Sequence, residues 1–127
     1  MRRGAQLLVR HGERGAVTAE LALVLPMLVA VTVGLVWLLA VGAAQVRTVD
    51  AARETARAVA RGDDEAAAVA RGRRVAPPGS TVTVVRAGGE VRVTVSGEVS
   101  GPGGLFSDLP IPTVRAEAVA ADEESGS

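Results

Sequence analysis

Residues 21–44, LALVLPMLVAVTVGLVWLLAVGAA, run for 24 positions without one charge. As an α-helix at ~1.5 Å per residue they would span roughly 36 Å, enough for a ~30 Å hydrocarbon layer with some tilt. A helix of this length that is apolar on every face belongs in lipid, because a helix packed in a soluble core keeps a polar face. The rest of the composition agrees. Hydrophobic residues are 48% of the chain but aromatic ones only 2%, and outside the run the apolar side chains are mostly Ala and Val. Such small side chains gain little on burial, at about 25 cal/mol per Å².

Pro26 lies inside the run and lacks a backbone donor, so a kink or loosened turn is expected there. Gly34 and Gly42 allow close helix approach but are eight apart, not the four of a tight dimer motif. Trp37 sits within the run rather than at its edge, so no interfacial anchoring follows from it.

The segment before the run, MRRGAQLLVRHGERG, carries Arg2, Arg3, Arg10 and Arg14 against Glu13 alone. A basic stretch ahead of an apolar one is how an export signal starts, but a secretory signal has an apolar core of only ~7–15 residues. Gly15 ends the basic stretch, Ala16 follows, and Glu20 stands five positions after the glycine, at the edge of the run. A charge at the centre of a bilayer costs about 2.5–3.5 kcal/mol and less near its ends, so Glu20 needs a reason. One is the helix dipole, which favours an acid in the first turn by about 0.3–1 kcal/mol. The other is a cationic partner on a neighbouring subunit.

The stretch GAVTAELALVLPML resembles the start of type IV pilin precursors, and most closely TadE-like minor pilins of tight-adherence (Tad) pili. The likeness extends through DAARETARAVARG and covers residues 12–62. It implies that a prepilin peptidase cuts between Gly15 and Ala16, and that Glu20 pairs with the free amino end of an adjacent subunit during assembly. Leu21 stands where the major pilins of such systems often carry Tyr, which implies a minor pilin. The partners implied are the membrane, the peptidase, other pilin-like subunits and the inner-membrane assembly platform.

Beyond the run, QVRTVDAARETARAVAR continues as helix, with Val46, Val49, Ala52, Ala56, Val59 and Ala60 on a weak apolar stripe. Asp50–Arg53 and Glu54–Arg57 are spaced for i,i+3 ion pairs. Gly62 reads as a stop and Asp63 as a new cap, with a short helix to about Arg71 before Gly72; Pro77-Pro78-Gly79 excludes further helix. The period then becomes two. Thr81 to Val84 and Val91 to Ser96 flank Gly88-Gly89, a hairpin pattern with Val82 and Val84 on one face and Val91, Val93 and Val95 on one face of the partner. Residues 97–112 read as a Gly/Pro-rich loop in which Leu105, Phe106, Leu109 and Ile111 act as apolar plugs, and 113–121 as a third strand. So few residues cannot build a sufficient core alone, and the sheet must lean on the long helix or on neighbours.

The expected fold is therefore α+β: a long N-terminal transmembrane helix continuing as an extracytoplasmic helix, then a small antiparallel sheet of about three strands. The expected organisation is a basic leader over 1–15, a transmembrane helix over 16–46, a helical stalk over 47–72, a β-rich head over 73–121 and a disordered acidic tail over 122–127. Arginines flank the run on both sides, so charge alone leaves orientation open. The short basic leader favours a cytoplasmic N-terminus, as does the prepilin reading, since that peptidase acts on the cytoplasmic side. The location expected is the cytoplasmic membrane, with the C-terminal part outside it and, in a pilus, extracellular.

No catalytic set is legible. His11, the only histidine, lies in the leader, and Ser80, Ser96, Ser100 and Ser107 have no base beside them. Asp63-Asp64-Glu65 suits a helix start better than a cation site. Gly101 to Gly104 lacks the Lys-Ser/Thr of a phosphate loop, and with no cysteine there is no thiolate site. Fourteen basic residues balance fourteen acidic ones, which argues against nucleic acid. The expectation is a structural protein, not an enzyme, with no cofactor, metal or small-molecule substrate. Two rivals stay open: an uncleaved single-pass anchor holding an extracytoplasmic binding module, and a secreted 84-residue remainder cut before Ala44.

Overall fold

The computed structural model describes residues 3–104 and 108–126, with side chains over 12–104 and 108–124. Helix α1 spans Arg3–Ala60 and α2 Glu65–Val75; strands β1 (Thr81–Ala87), β2 (Glu90–Glu98) and β3 (Thr113–Ala121) follow. The class is α+β, as read from the sequence. Two compact units, Met1–Val36 and Trp37–Ser127, divide the chain within α1.

In the first unit α1 already includes the basic segment, from Arg3 rather than from Ala16, and continues through Pro26. Among its described side chains almost none is covered. Leu23 is 77% exposed and Met27 70%, and of the described side chains Val17, Leu21, Val24, Leu25, Leu28, Val29, Val31, Leu35 and Val36 are exposed as well. Hydroxyl groups are satisfied internally: Thr18 Oγ1 donates to the Arg14 carbonyl at 2.9 Å and Thr32 Oγ1 to that of Leu28 at 2.8 Å. Such back-bonding lets threonine sit in an apolar environment without an orphan donor.

In the second unit one face of α1 is buried through Ala44, Thr48, Ala51, Ala52, Thr55, Ala56 and Val59. Steps of three and four keep these on one side of the helix. Val46 is not among them: it is 61% exposed, because two residues advance a helix by about 200° and Thr48 holds the buried phase. Thr48 is admitted because its hydroxyl donates to the Ala44 carbonyl at 2.7 Å.

The three strands form an antiparallel meander with β2 in the centre. Gly88 and Gly89, with φ of 61° and 77°, turn the β1–β2 hairpin where Ala87 pairs with Glu90. Both positive φ values are what a tight hairpin turn needs, and only glycine adopts them freely. Alternation puts Val91, Val93 and Val95 at 0% exposure in one cluster with Ala51, Ala52, Ala56 and Val59 of α1. Val82 and Val84 flank them on β1, and Ala116, Ala118 and Ala120 on β3. The sheet thus leans on the helix, as its size required.

Helix α1 ends in a Schellman arrangement: Gly62, at φ 86°, donates to Val59 O at 3.0 Å and Asp63 N–H to Ala58 O at 3.1 Å. Asp64 rather than Asp63 caps α2, accepting from Ala67 N–H at 2.9 Å. Asp63 instead receives Arg71 at 2.8 Å and Arg61 at 3.6 Å. Asp50–Arg53 and Glu54–Arg57 are not among the ion pairs of the described residues; on an exposed helix face such a pair gains little over hydration. Gly72 does not end α2, which runs on to Val75 before Ala76-Pro77-Pro78. Gly72 is instead a buried contact point. A Cβ built on it would overlap Thr55 Oγ1 and lie 3.5 Å from the Ala51 carbonyl oxygen.

Two expectations for the C-terminal part are corrected. Leu109 and Ile111 plug nothing: they are 51% and 54% exposed, because β2 and α1 already fill the core. Leu105 and Phe106 lie outside the described residues. The acidic tail, expected to lack fixed structure, forms a 3-10 turn over Glu123–Gly126. Asp122 N–H donates to Gly89 O at 2.8 Å, and Arg86 meets Asp122 at 3.1 Å and Glu124 at 3.7 Å.

Candidate functional site

The four residues singled out in the sequence, Gly15, Ala16, Glu20 and Pro26, all fall in α1 within the first unit. Gly15 has no atom within 4 Å of where a Cβ would stand. Gly12 and Gly15 each weaken the helix here by about 1 kcal/mol relative to alanine. Opening a turn around the Gly15–Ala16 bond therefore meets little resistance from packing.

Ala16 and Glu20 are four apart, hence on the same helix face and roughly 6 Å apart along the axis. Glu20 is exposed and makes no ion pair among the described residues. Around it Val17, Leu21, Leu23 and Val24 are all exposed, so its carboxylate is set in an apolar surface. Pro26 cannot donate to the Ala22 carbonyl, so that i→i−4 bond is missing less than a turn beyond Glu20. The segment thus presents an apolar cylinder with a single carboxylate near one end. It can enter lipid, or pack against other such helices with the carboxylate taking a cationic partner.

Part of the molecule's polar organisation was not legible. Arg86 gathers Glu65 from α2 and Asp122 and Glu124 from the C-terminal tail at 3.1–3.9 Å, and Gln45 Nε2 donates to the Arg115 carbonyl at 3.0 Å. Both join residues far apart in sequence, and no local pattern announces them.

The stretch Gly12–Ala60 of α1 is long and apolar enough to cross a membrane, and its most apolar window is wholly unburied. No curated protein and no solved structure matches the chain. A match does exist where the sequence resemblance lay: residues 15–57, beginning at the glycine before Ala16 and ending inside α1, fit the model of the family described as TadE-like protein.

Proposed function

We propose that this chain is a minor pilin-like structural component of a Tad or related type IV pilus, or of a kindred secretion apparatus. In this reading a prepilin peptidase cuts the Gly15–Ala16 bond on the cytoplasmic side. The helix from Ala16 is then stored in the cytoplasmic membrane as a single span, with the C-terminal part outside. Assembly on the inner-membrane platform withdraws the helix from lipid and packs it against those of other subunits. Pro26 kinks or loosens the helix as it enters that packing.

The observation that carries this reading is the uncovered apolar face of α1 with one carboxylate in it, lying within the segment that fits the TadE-like family. Uncovered leucines in water would be a liability, and in lipid or between subunits they are the interface. Lipid adds no hydrophobic drive between helices, so a specific polar contact such as Glu20 with the amino end of a neighbour would set the stagger. Removing one member of a desolvated charge pair typically costs 2–5 kcal/mol. Glu20→Gln should therefore leave the amount of membrane-inserted protein unchanged while lowering incorporation into assembled fibres at least roughly tenfold. Quantitative blotting of membrane and sheared-fibre fractions measures both. Wild-type incorporation of the variant would remove Glu20 from the mechanism.

A further inference from the structure

We propose that copies of this chain associate side by side through their sheets, the open edge of β3 on one copy pairing in parallel with the open edge of β1 on the next. This rests on the membrane reading of α1, which sets every copy the same way up.

Hydrogen-bonding phase defines the two edges. At the ends of the β2–β3 ladder, Asp122 N–H donates to Gly89 O at 2.8 Å and Val99 N–H to Pro112 O at 3.1 Å, both in the β2–β3 register. Bonded and unbonded pairs alternate in an antiparallel ladder. Even-numbered β3 residues therefore bond to β2, and Arg115, Glu117, Val119 and Ala121 turn their N–H and C=O to the open side. The Arg115 carbonyl accepting from Gln45 of α1 agrees with that phase. By the same alternation β2 bonds to Thr81, Thr83, Val85 and Ala87 of β1, and Val82 and Val84 turn outward. Among the described residues no hydrogen bond reaches the outward groups of Glu117, Val119, Val82 or Val84. Such a row of unpaired groups is a template for another strand, and nothing in β3, which has no proline, blunts it beyond Gln45.

Direction selects the occupant. β1 and β3 are each antiparallel to β2, so both run the same way. The start of β3 is tied to Gln45, and its end leads to Glu124 lying against Gly62, so the strands run with α1 and away from the uncharged run. Two β3 edges paired antiparallel would set one copy upside down, which two copies anchored in one bilayer cannot be. A β3 edge beside a β1 edge keeps both upright. The phases also agree. In a parallel pair an outward-turned residue bonds to the two residues flanking the one opposite it. Glu117 opposite Thr83 thus reaches the C=O of Val82 and the N–H of Val84.

Side chains fix the register. Val85 and Val119 both face Arg92, so the three form one row across the sheet, on the side away from the core valines of β2. Both valines are about half exposed. Setting Val119 opposite the next copy's Val85 joins them as a β-branched cross-strand pair. It is also the register with no shift along the strands, which a shared bilayer requires. Glu117 to Ala121 then pair with Thr83 to Ala87. The contact is heterologous, leaving a free edge at each end for a further copy.

The absence of native cysteine allows a direct test on the full chain. The double variant Val85→Cys, Val119→Cys is reconstituted in phosphatidylcholine vesicles and oxidised. Within one chain the two sites are two strands apart, ~10 Å and beyond disulfide reach, whereas between paired copies they are ~5 Å apart. A non-reducing gel should show dimers and higher species, at least about tenfold more abundant than from Thr81→Cys, Val119→Cys, whose sites would lie ~13 Å apart along the paired strands. The single variants should remain monomeric, and mixing them should give dimer and nothing larger. A double variant retained in vesicles but no more cross-linked than the Thr81 control would overturn the proposal and leave the anchor reading standing. Dimer from Val119→Cys alone, at the level of the double variant, would mean that two β3 edges meet, and would also overturn it. A chain washed from the vesicles by carbonate would remove the anchor and the proposal together.

Discussion

Replacing Gly72 with valine should lower the stability of the sheet-bearing unit by about 3 kcal/mol, the upper range for overpacking a well-filled contact. Gly72 of α2 lies directly against Ala51 and Thr55 of α1. Even one added methyl would overlap Thr55 Oγ1, and Thr55 is itself fully buried and β-branched, so it has few rotamers to retreat into. Valine adds two further carbons against the Ala51 carbonyl, with no flexible side chain to absorb them. At the 4–8 °C per kcal/mol usual for a unit of this size, the thermal midpoint of the full chain in detergent should fall by roughly 15 °C. The mechanism also predicts its own rescue. Thr55 Oγ1 is buried without a hydrogen-bond partner, so Thr55→Ala removes an unsatisfied hydroxyl and should be close to neutral or stabilising. In that background Gly72→Ala should be tolerated, helped by the better helix propensity of alanine. If Gly72→Ala destabilises equally with Thr55 present or absent, the contact is not the reason for the glycine.

Gly15→Trp should abolish processing, with cleavage slowed about 100-fold or more. Proteolysis needs the scissile carbonyl within reaction distance of the peptidase, and misplacement by about 1 Å is enough for a loss of that order. Gly15 presents bare backbone with nothing around it, and tryptophan would set an indole directly beside the bond to be cut. Gly12→Trp is the matched control. Gly12 is also a helical glycine with no neighbour within 4 Å, but it lies three residues from the bond, and processing should continue. An immunoblot resolving precursor from mature chain reads both variants. A Gly15→Trp protein whose N-terminus is still Ala16 would refute the assignment of the cleavage position.

The parts of the fold governed by short-range pattern were legible in the sequence. The uncharged run announced α1, two-residue alternation announced β1, β2 and β3, and Gly88-Gly89 announced the hairpin, because each depends on neighbours within a few residues. What failed depended on distant partners. A glycine near a helix end reads equally as a stop or as a contact point, and only Thr55, seventeen residues earlier, decides that Gly72 is the latter. Val46 was placed on the stripe by its hydrophobicity, when helix phase and the self-bonded hydroxyl of Thr48 decide which residue is buried. The acidic tail looked unstructured because its partner, Arg86, lies on a strand that comes next to it only after the meander has formed. In the candidate site, Gly15, Ala16, Glu20 and Pro26 stand in a stretch of α1 whose described side chains are almost all exposed, so in the first unit only local sequence bears on them.

The account rests on the Gly15–Ala16 bond being cut before the helix is used, and the N-terminal residue of the native protein, taken from cell membranes and from sheared fibres, tests this most directly. The account predicts a chain beginning at Ala16 in both fractions, with Glu20 as its fifth residue. A native chain that still carries residues 1–15 would contradict it and would leave a permanently tethered domain in place of a pilus subunit.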